Sequence, residues 1–324
     1  MTISLARLLT SNSQTGTTIT DDPTLQLALA ASTRYRIVDL SEMYANDTVD
    51  WKRKTYYTNG GTVSNGPYGY FYCRGAAGSL ATSVITYGGA IGTPYLNDEY
   101  EQNGSNTTSH RTFVMADFMM TTNAAGDLRI ARSPRFSGAG NVTTHPGSCL
   151  IAIPFDDMPF NPDRGDLVAY KSGDQTIAVD AANTTVTDMA LPLAANRDYF
   201  IEAIVHVKAD AANAAAAGYG LAWGYSGTYD VALMMARMTD MAAFDQELSS
   251  TLNNVFMWSN GSSSMGTFRS VAAGAASTFS QVRVLGLVRG TSAGDFTATI
   301  DPSGTAGDDI IVGAGSCMIA TALN

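Results

Sequence analysis

Side chains that carry chemistry are scarce in this sequence. Its 324 residues hold three histidines and three cysteines. His110, His145 and His206 stand far apart, and Cys73, Cys149 and Cys317 form no close pair, so the ligand spacing of a zinc site is missing. Three cysteines are also a poor disulfide framework, and free thiols point to folding in a reducing compartment. Charge is low as well. Only 15% of residues are charged, against about a quarter in ordinary domains. Acids outnumber bases 29 to 19, giving a net charge of −10. Such a chain lacks the cations that neutralise phosphate, so neither nucleic acid nor an anionic membrane surface is an expected partner.

No apolar run approaches the roughly 18 residues of a membrane helix. The opening stretch, residues 1–10, has no apolar segment long enough for a secretory leader. The six Asn-x-Ser/Thr sequons, at Asn46, Asn103, Asn106, Asn141, Asn183 and Asn260, are therefore read as a by-product of Asn- and Thr-rich loops. Catalytic motifs are missing too. Trp223-Gly-Tyr-Ser226-Gly227 does not fit a nucleophile elbow, and neither a phosphate-binding loop nor a dinucleotide glycine pattern occurs. Asp156, Asp157, Asp163 and Asp166 lack the spacing of a calcium loop. Arg164-Gly165-Asp166 matches an adhesion tripeptide, a string too short to carry weight. No catalytic, cofactor-binding or metal-binding residue is assigned, and an enzyme is not expected.

What the sequence does contain is a repeat. Shifting residues 111–155 by 168 onto 279–323 aligns ten identical residues without a gap, among them Ala125-Gly126-Asp127 with Ala293-Gly294-Asp295, Pro134 with Pro302, and Gly147-Ser148-Cys149 with Gly315-Ser316-Cys317. At a shift of 164, Leu29-Ala30-Ala31 and Tyr35-Arg-Ile37 meet Leu193-Ala194-Ala195 and Tyr199-Phe-Ile201. Repeats of this length mark a duplicated domain. The doubled cysteine, following Gly-Ser and preceding an apolar run, is read as a small buried hydrophobe rather than a reactive thiol.

Within each copy, alternation at every second residue predicts half-buried strands. Leu25, Leu27 and Leu29 show it, and Tyr199, Ile201, Ala203, Val205 and Val207 show it best. Asp39 and Ser41 fall where Ala203 and Val205 sit, so the copies differ in what that face meets. Pro192 removes a ladder donor, so its strand is expected to lie at a sheet edge or to turn that position outward. Trp51 and Trp223, aligned at a shift of 172, are expected to anchor the two cores. Ala-Gly-Asp is expected to turn a hairpin, with glycine at positive φ. Met234, Met235, Met238 and Met241 lie at helical spacing, which leaves a short helix or two strands open. Residues 1–20 read as an extended arm or a first edge strand. The expected fold is all-β, two tandem related β-sandwich domains: residues 1–155 with the arm, an acidic proline-containing linker at 156–176, and 177–324.

The repeat unit, with Leu29-Ala30-Ala31, Tyr35-Arg-Ile37, Ala125-Gly126-Asp127 and Gly147-Ser148 in the first copy and their counterparts in the second, resembles accessory structural proteins of tailed bacteriophages. The resemblance implies β-sandwiches of jelly-roll-like kind in a non-enzymatic virion protein, folded in the host cytoplasm. The first expectation is a capsid decoration or cement protein that contacts major capsid or tail proteins and forms a homo-oligomer. The alternative is a tail or tail-tip component that binds a host-surface glycan, with Tyr68, Tyr70, Tyr72 and Trp258 stacking on sugar. A polysaccharide-degrading enzyme is the third and weakest reading.

Overall fold

The computed structural model describes residues 3–45, 51–58, 61–74, 83–87, 100–102, 111–134, 140–155, 161–178, 184–209, 218–239, 255–259, 265–269, 279–303 and 309–323. It is built of strands, as expected. The chain divides into two compact units, Met1–Pro159 and Phe160–Asn324.

The first unit contains β1 (Ser4–Arg7), β2 (Asn12–Thr15), β3 (Thr20–Leu29), β4 (Arg34–Ala45), β5 (Trp51–Thr58) and β6 (Thr62–Arg74). It continues with β7 (Ser83–Tyr87), β8 (Tyr100–Gln102), β9 (Arg111–Ala124), β10 (Gly126–Pro134), β11 (Asn141–Thr144) and β12 (Cys149–Pro154). A four-stranded sheet runs β3-β10-β5-β8, and a larger one runs β1-β12-β4-β9-β6-β7 with β11 bridging β2 and β4. The two runs β3-β10-β5-β8 and β4-β9-β6-β7 have the strand order of a jelly roll, in which the chain alternates between sheets. β1 and β12 widen one layer.

The second unit repeats this plan strand for strand. Its strands are β13 (Leu167–Tyr170), β14 (Gln175–Ile177), β15 (Thr184–Leu193), β16 (Asp198–Ala209), β17 (Gly218–Tyr225) and β18 (Tyr229–Thr239). They are followed by β19 (Val255–Ser259), β20 (Met265–Arg269), β21 (Ser280–Gly290), β22 (Gly294–Ser303), β23 (Ile310–Val312) and β24 (Cys317–Ala322). The sheets are β15-β22-β17-β20 and β13-β24-β16-β21-β18-β19, with β23 bridging β14 and β16.

Each unit encloses its own apolar core between its two sheets. Leu25, Leu27, Leu29, Tyr35, Ile37, Phe118 and Leu128 belong to the first. Met189, Leu191, Leu193, Tyr199, Ile201, Trp223 and Phe296 belong to the second. The alternating face of β16 is buried throughout, from Tyr199 to Val207. Pro192 lies on β15, an edge strand that bonds only β22 among the described residues, where its missing N–H breaks no ladder.

Several expectations are corrected. The span 156–176 is not a linker over its described part: β13 pairs β24 and β14 pairs β23, so these residues are the second unit's first strands. They match β1 and β2, which pair β12 and β11. Residues 3–20 accordingly supply edge strands of their own unit and form no arm. Residues 229–239 form one strand, not a helix, and put Met234 and Met235 on opposite faces, both buried. Met241 lies outside the described residues.

Ala-Gly-Asp turns no hairpin. β9 and β10 belong to different sheets, so the tripeptide carries the chain across the sandwich. Neither Gly126 nor Gly294 has positive φ. Glycine is needed there because a Cβ would strike the Thr58 carbonyl in one copy and the Gly227 backbone in the other. Positive φ occurs instead in the second repeated triplet, at Gly147 (90°) and Gly315 (88°). The serine that follows has a matched task in both units. Ser148 Oγ accepts the Glu42 N–H and Ser316 Oγ accepts the His206 N–H, each at 3.0 Å. These donors lie on β4 and β16 where the neighbouring strand changes from β12 to β11 and from β24 to β23. The tyrosines are matched too: Tyr57 donates to the Ala124 carbonyl and Tyr225 to the Ser292 carbonyl, at 2.8 and 2.6 Å.

Candidate functional site

Because the units share one pairing scheme, strand register defines which residues correspond. Leu27 faces Leu128 as Leu191 faces Phe296, and Arg53 faces Arg132 as Leu221 faces Ile300. Positions in β3 and β4 thus advance by 164, and those in β5, β9, β10 and β12 by 168. Trp51 corresponds to Tyr219, and Trp223 to Thr55, so the shift of 172 does not hold. Trp223 is buried and stacks on Phe296, with ring centroids 5.4 Å apart. The Trp51 side chain lies outside the described residues.

Correct register exposes a sharp difference between the two interiors. At one end of the first sandwich, Asp22, Asp39, Ser41, Arg53, Thr55 and Arg132 are each at most 2% exposed. The matched residues of the second sandwich are Val186, Ala203, Val205, Leu221, Trp223 and Ile300, all buried and all apolar. The same fold therefore closes around charge in one copy and hydrocarbon in the other.

The charges are arranged as pairs. Arg53 projects from β5 onto Asp39 of β4, and the same guanidinium reaches Thr55 Oγ1 at 3.1 Å and Ser41 Oγ at 3.3 Å. Ser41 in turn donates to Asp39 at 2.7 Å. Arg132, on β10, donates to Asp22 at 2.9 Å, to the Val142 carbonyl at 2.7 Å and to the Asn12 carbonyl at 3.0 Å. Asp22 also accepts the N–H groups of Thr24 and Leu25, where β3 bulges away from its register with β10. Burial lowers the Arg132 pKa, Asp22 opposes that shift, and the neighbouring Arg53 charge adds to it.

A third pair follows the same rule on the other face of the large sheet. Arg36 holds Asp117 through two bonds of 2.9 and 2.8 Å, and the corresponding residues are Phe200 and Leu285, both buried. In all three pairs both partners change together. A half-pair would leave an uncompensated buried charge, which costs about 3–5 kcal/mol. Exposed charges are not bound by this. Arg129, which pairs with Asp21 and Asp127 near the surface, is matched by Thr297, yet Asp127 is matched by Asp295. The second unit handles its bulge differently. There Gln175 Oε1 accepts the Thr187 N–H at 2.8 Å, and buried Lys171, at the position of Leu8, donates to Thr187 Oγ1 at 2.9 Å.

This arrangement suits positioning rather than catalysis. The carboxylates of Asp22 and Asp39 are occupied by guanidinium, hydroxyl and backbone donors, and both lie out of solvent. Among the described residues, no group of three or more His, Cys, Asp and Glu side chains is placed to hold a metal ion. Cys149 is buried and Cys317 half-buried, and burial raises the Cys317 pKa, which disfavours the thiolate. His145, just after β11, and His206, on β16 of the other unit, are half-buried, and His110 lies outside the described residues.

Arg164 and Asp166 bond each other at 2.5–2.9 Å, so the tripeptide is folded on itself. Asp166 also accepts N–H groups from Asn161 and Ala322, which ties the start of the second unit to its last strand. Asp163 is exposed, and Asp156 and Asp157 lie outside the described residues. So do the side chains of Tyr68, Tyr70, Tyr72 and Trp258.

The comparisons with known proteins add little to this geometry. No protein-family profile matches the chain, and no curated protein matches it. One solved structure with some likeness is a chain of "Structure of infectious bursal disease virus Gt strain". The match is 11% identical and covers 98% of this chain and 81% of that one, but its TM-score of 0.13 gives it no bearing on fold or function.

Proposed function

We propose that the chain is a non-enzymatic structural protein of a bacteriophage virion, a decoration or cement protein of the head that acts through protein–protein interfaces. The observation that carries this reading is the complete duplication of a jelly roll whose buried charges bond one another. A sandwich used twice with its scaffold intact, and with interior polar groups committed to packing, suits a part whose product is shape. The phage assignment rests on the resemblance of the repeated motifs, since fold alone does not imply function.

The test is the location of the chain in purified particles. Heads stripped of tails retain a head protein, and loss of the chain with the tails refutes decoration of the head. Glycan-array binding in place of capsid binding would move the assignment to a tail-tip receptor module. Glycan depolymerisation abolished by a single carboxylate substitution would overturn the non-enzymatic reading.

A further inference from the structure

The second unit ends in a sheet edge that is built to be covered. β13 bonds β24 along one side, and no strand pairs with its other side among the described residues. The Lys171 N–H and carbonyl both bond β24's flank, at Ser316 and Gly315. Backbone direction alternates along a strand, so Val168 and Tyr170 turn their N–H and C=O groups toward the open side. Their side chains are 56% and 60% exposed. Edge strands ordinarily carry a guard, such as a lysine, a proline or a bulge, that stops another chain from pairing. Leu167-Val168-Ala169-Tyr170 has none.

The matched edge in the first unit differs. Leu5 and Arg7 of β1 occupy the positions of Val168 and Tyr170, both are half-buried, and one is charged. Beside them Cys149 and Ile151 are fully buried. Their counterparts beside β13, Cys317 and Ile319, are only half-buried. The same surface of the fold is thus covered in one unit and left part-open, apolar and unguarded in the other.

We infer that β13 is a homodimer interface, at which a second copy of the chain adds its own β13 in antiparallel register about a two-fold axis through Ala169. That register sets Val168 opposite the second copy's Tyr170, twice, as an apolar β-branched–aromatic cross-strand pair on one face. It is isologous and closes at two copies. An uncharged strand is also where two chains of net charge −10 approach with least repulsion. The inference concerns the chain itself and does not rest on the virion reading.

The experiment is sedimentation velocity on the full chain over a concentration series, with Tyr170→Lys as the variant and circular dichroism as the check on folding. A reversible dimer is expected, with the dissociation constant raised at least about tenfold by the substitution. Register is tested separately in a Cys317→Ala background, because Tyr170 faces Cys317 across the β13–β24 pair. Val168→Cys mixed with Tyr170→Cys forms a disulfide-linked dimer under mild oxidation, and neither variant does so alone. A chain that stays monomeric at every concentration overturns the inference. A dimer indifferent to Tyr170→Lys, or cross-linking within a single variant, overturns it equally.

Discussion

Consider Arg53→Leu, which writes the second unit's residue into the first. The substitution removes the guanidinium from Asp39, a residue with no solvent exposure, and takes a donor from Thr55 and Ser41. An ion pair broken from one side in the interior loses about 3–5 kcal/mol. For a unit of this size, each kcal/mol shifts the melting midpoint by about 2–4 °C, so the first unit's transition should fall by roughly 6–20 °C.

Completing the exchange reverses the sign. Asp22→Val, Asp39→Ala and Arg132→Ile remove the remaining charges, and Ser41→Val removes the hydroxyl bonded to them. Thr55→Trp and Leu128→Phe supply the ring volume that Trp223 and Phe296 provide in the other core, without which a cavity would form. Asn12→Gln together with Pro23→Thr gives the bulge the acceptor and the N–H donor that Gln175 and Thr187 provide in the second unit. Replacement of buried pairs by packed hydrocarbon is neutral or gains about 1–4 kcal/mol, so this graft should melt no lower than the native unit. Scanning calorimetry on the full chain, with the first transition assigned by Arg53→Leu itself, reads both effects. The reasoning fails if Arg53→Leu costs under about 1 kcal/mol, or if the graft is as damaging as the single change.

Three further outcomes are expected. Arg36→Phe and Asp117→Leu should each destabilise alone and largely cancel together; a double-mutant cycle with coupling under about 0.5 kcal/mol would contradict this. For Asp166, burial alone would raise the carboxyl pKa, but the Arg164 bond and the Asn161 and Ala322 N–H groups bring it below its ordinary value. Its contribution is therefore present above the unfolded pKa and lost as pH falls through the folded one. Hydrogen exchange at the Ala322 amide should accelerate relative to the intrinsic rate below about pH 4, and Asp166→Asn should flatten that dependence. Lys171→Leu, which installs the residue found at position 8, should leave the midpoint unchanged or raise it by a few degrees; a fall of more than about 1 kcal/mol would show that the buried ammonium is needed.

The duplication and the all-β class were legible because glycine, serine and tyrosine carry matched tasks in both copies. Gly147 and Gly315 need positive φ, and Ser148 and Ser316 satisfy a strand N–H. The jelly-roll order was not legible in detail, since it depends on pairings such as β3 with β10 that link residues about a hundred apart in sequence. β13 escaped notice because a four-residue strand after several prolines has no periodicity to display. The divergence of Asp39 and Ser41 from Ala203 and Val205 did point at the charged end of the first core. Matching Trp51 to Trp223 then slipped β5 by four residues and hid Arg53 opposite Leu221. A large aromatic is a tempting landmark, yet here it stands four positions apart along the matched strands, and the small residues kept their places.

The paired exchange of buried charges also constrains how the two halves of the gene can mix. A crossover or gene conversion with one boundary between codons 39 and 53 would join Asp39 to a leucine, or Ala203 to an unmatched arginine. Either product carries half of a buried pair, with the cost that implies. The duplicates are thereby held apart as separate lineages: each can drift within its own interior, but neither can repair the other in short tracts.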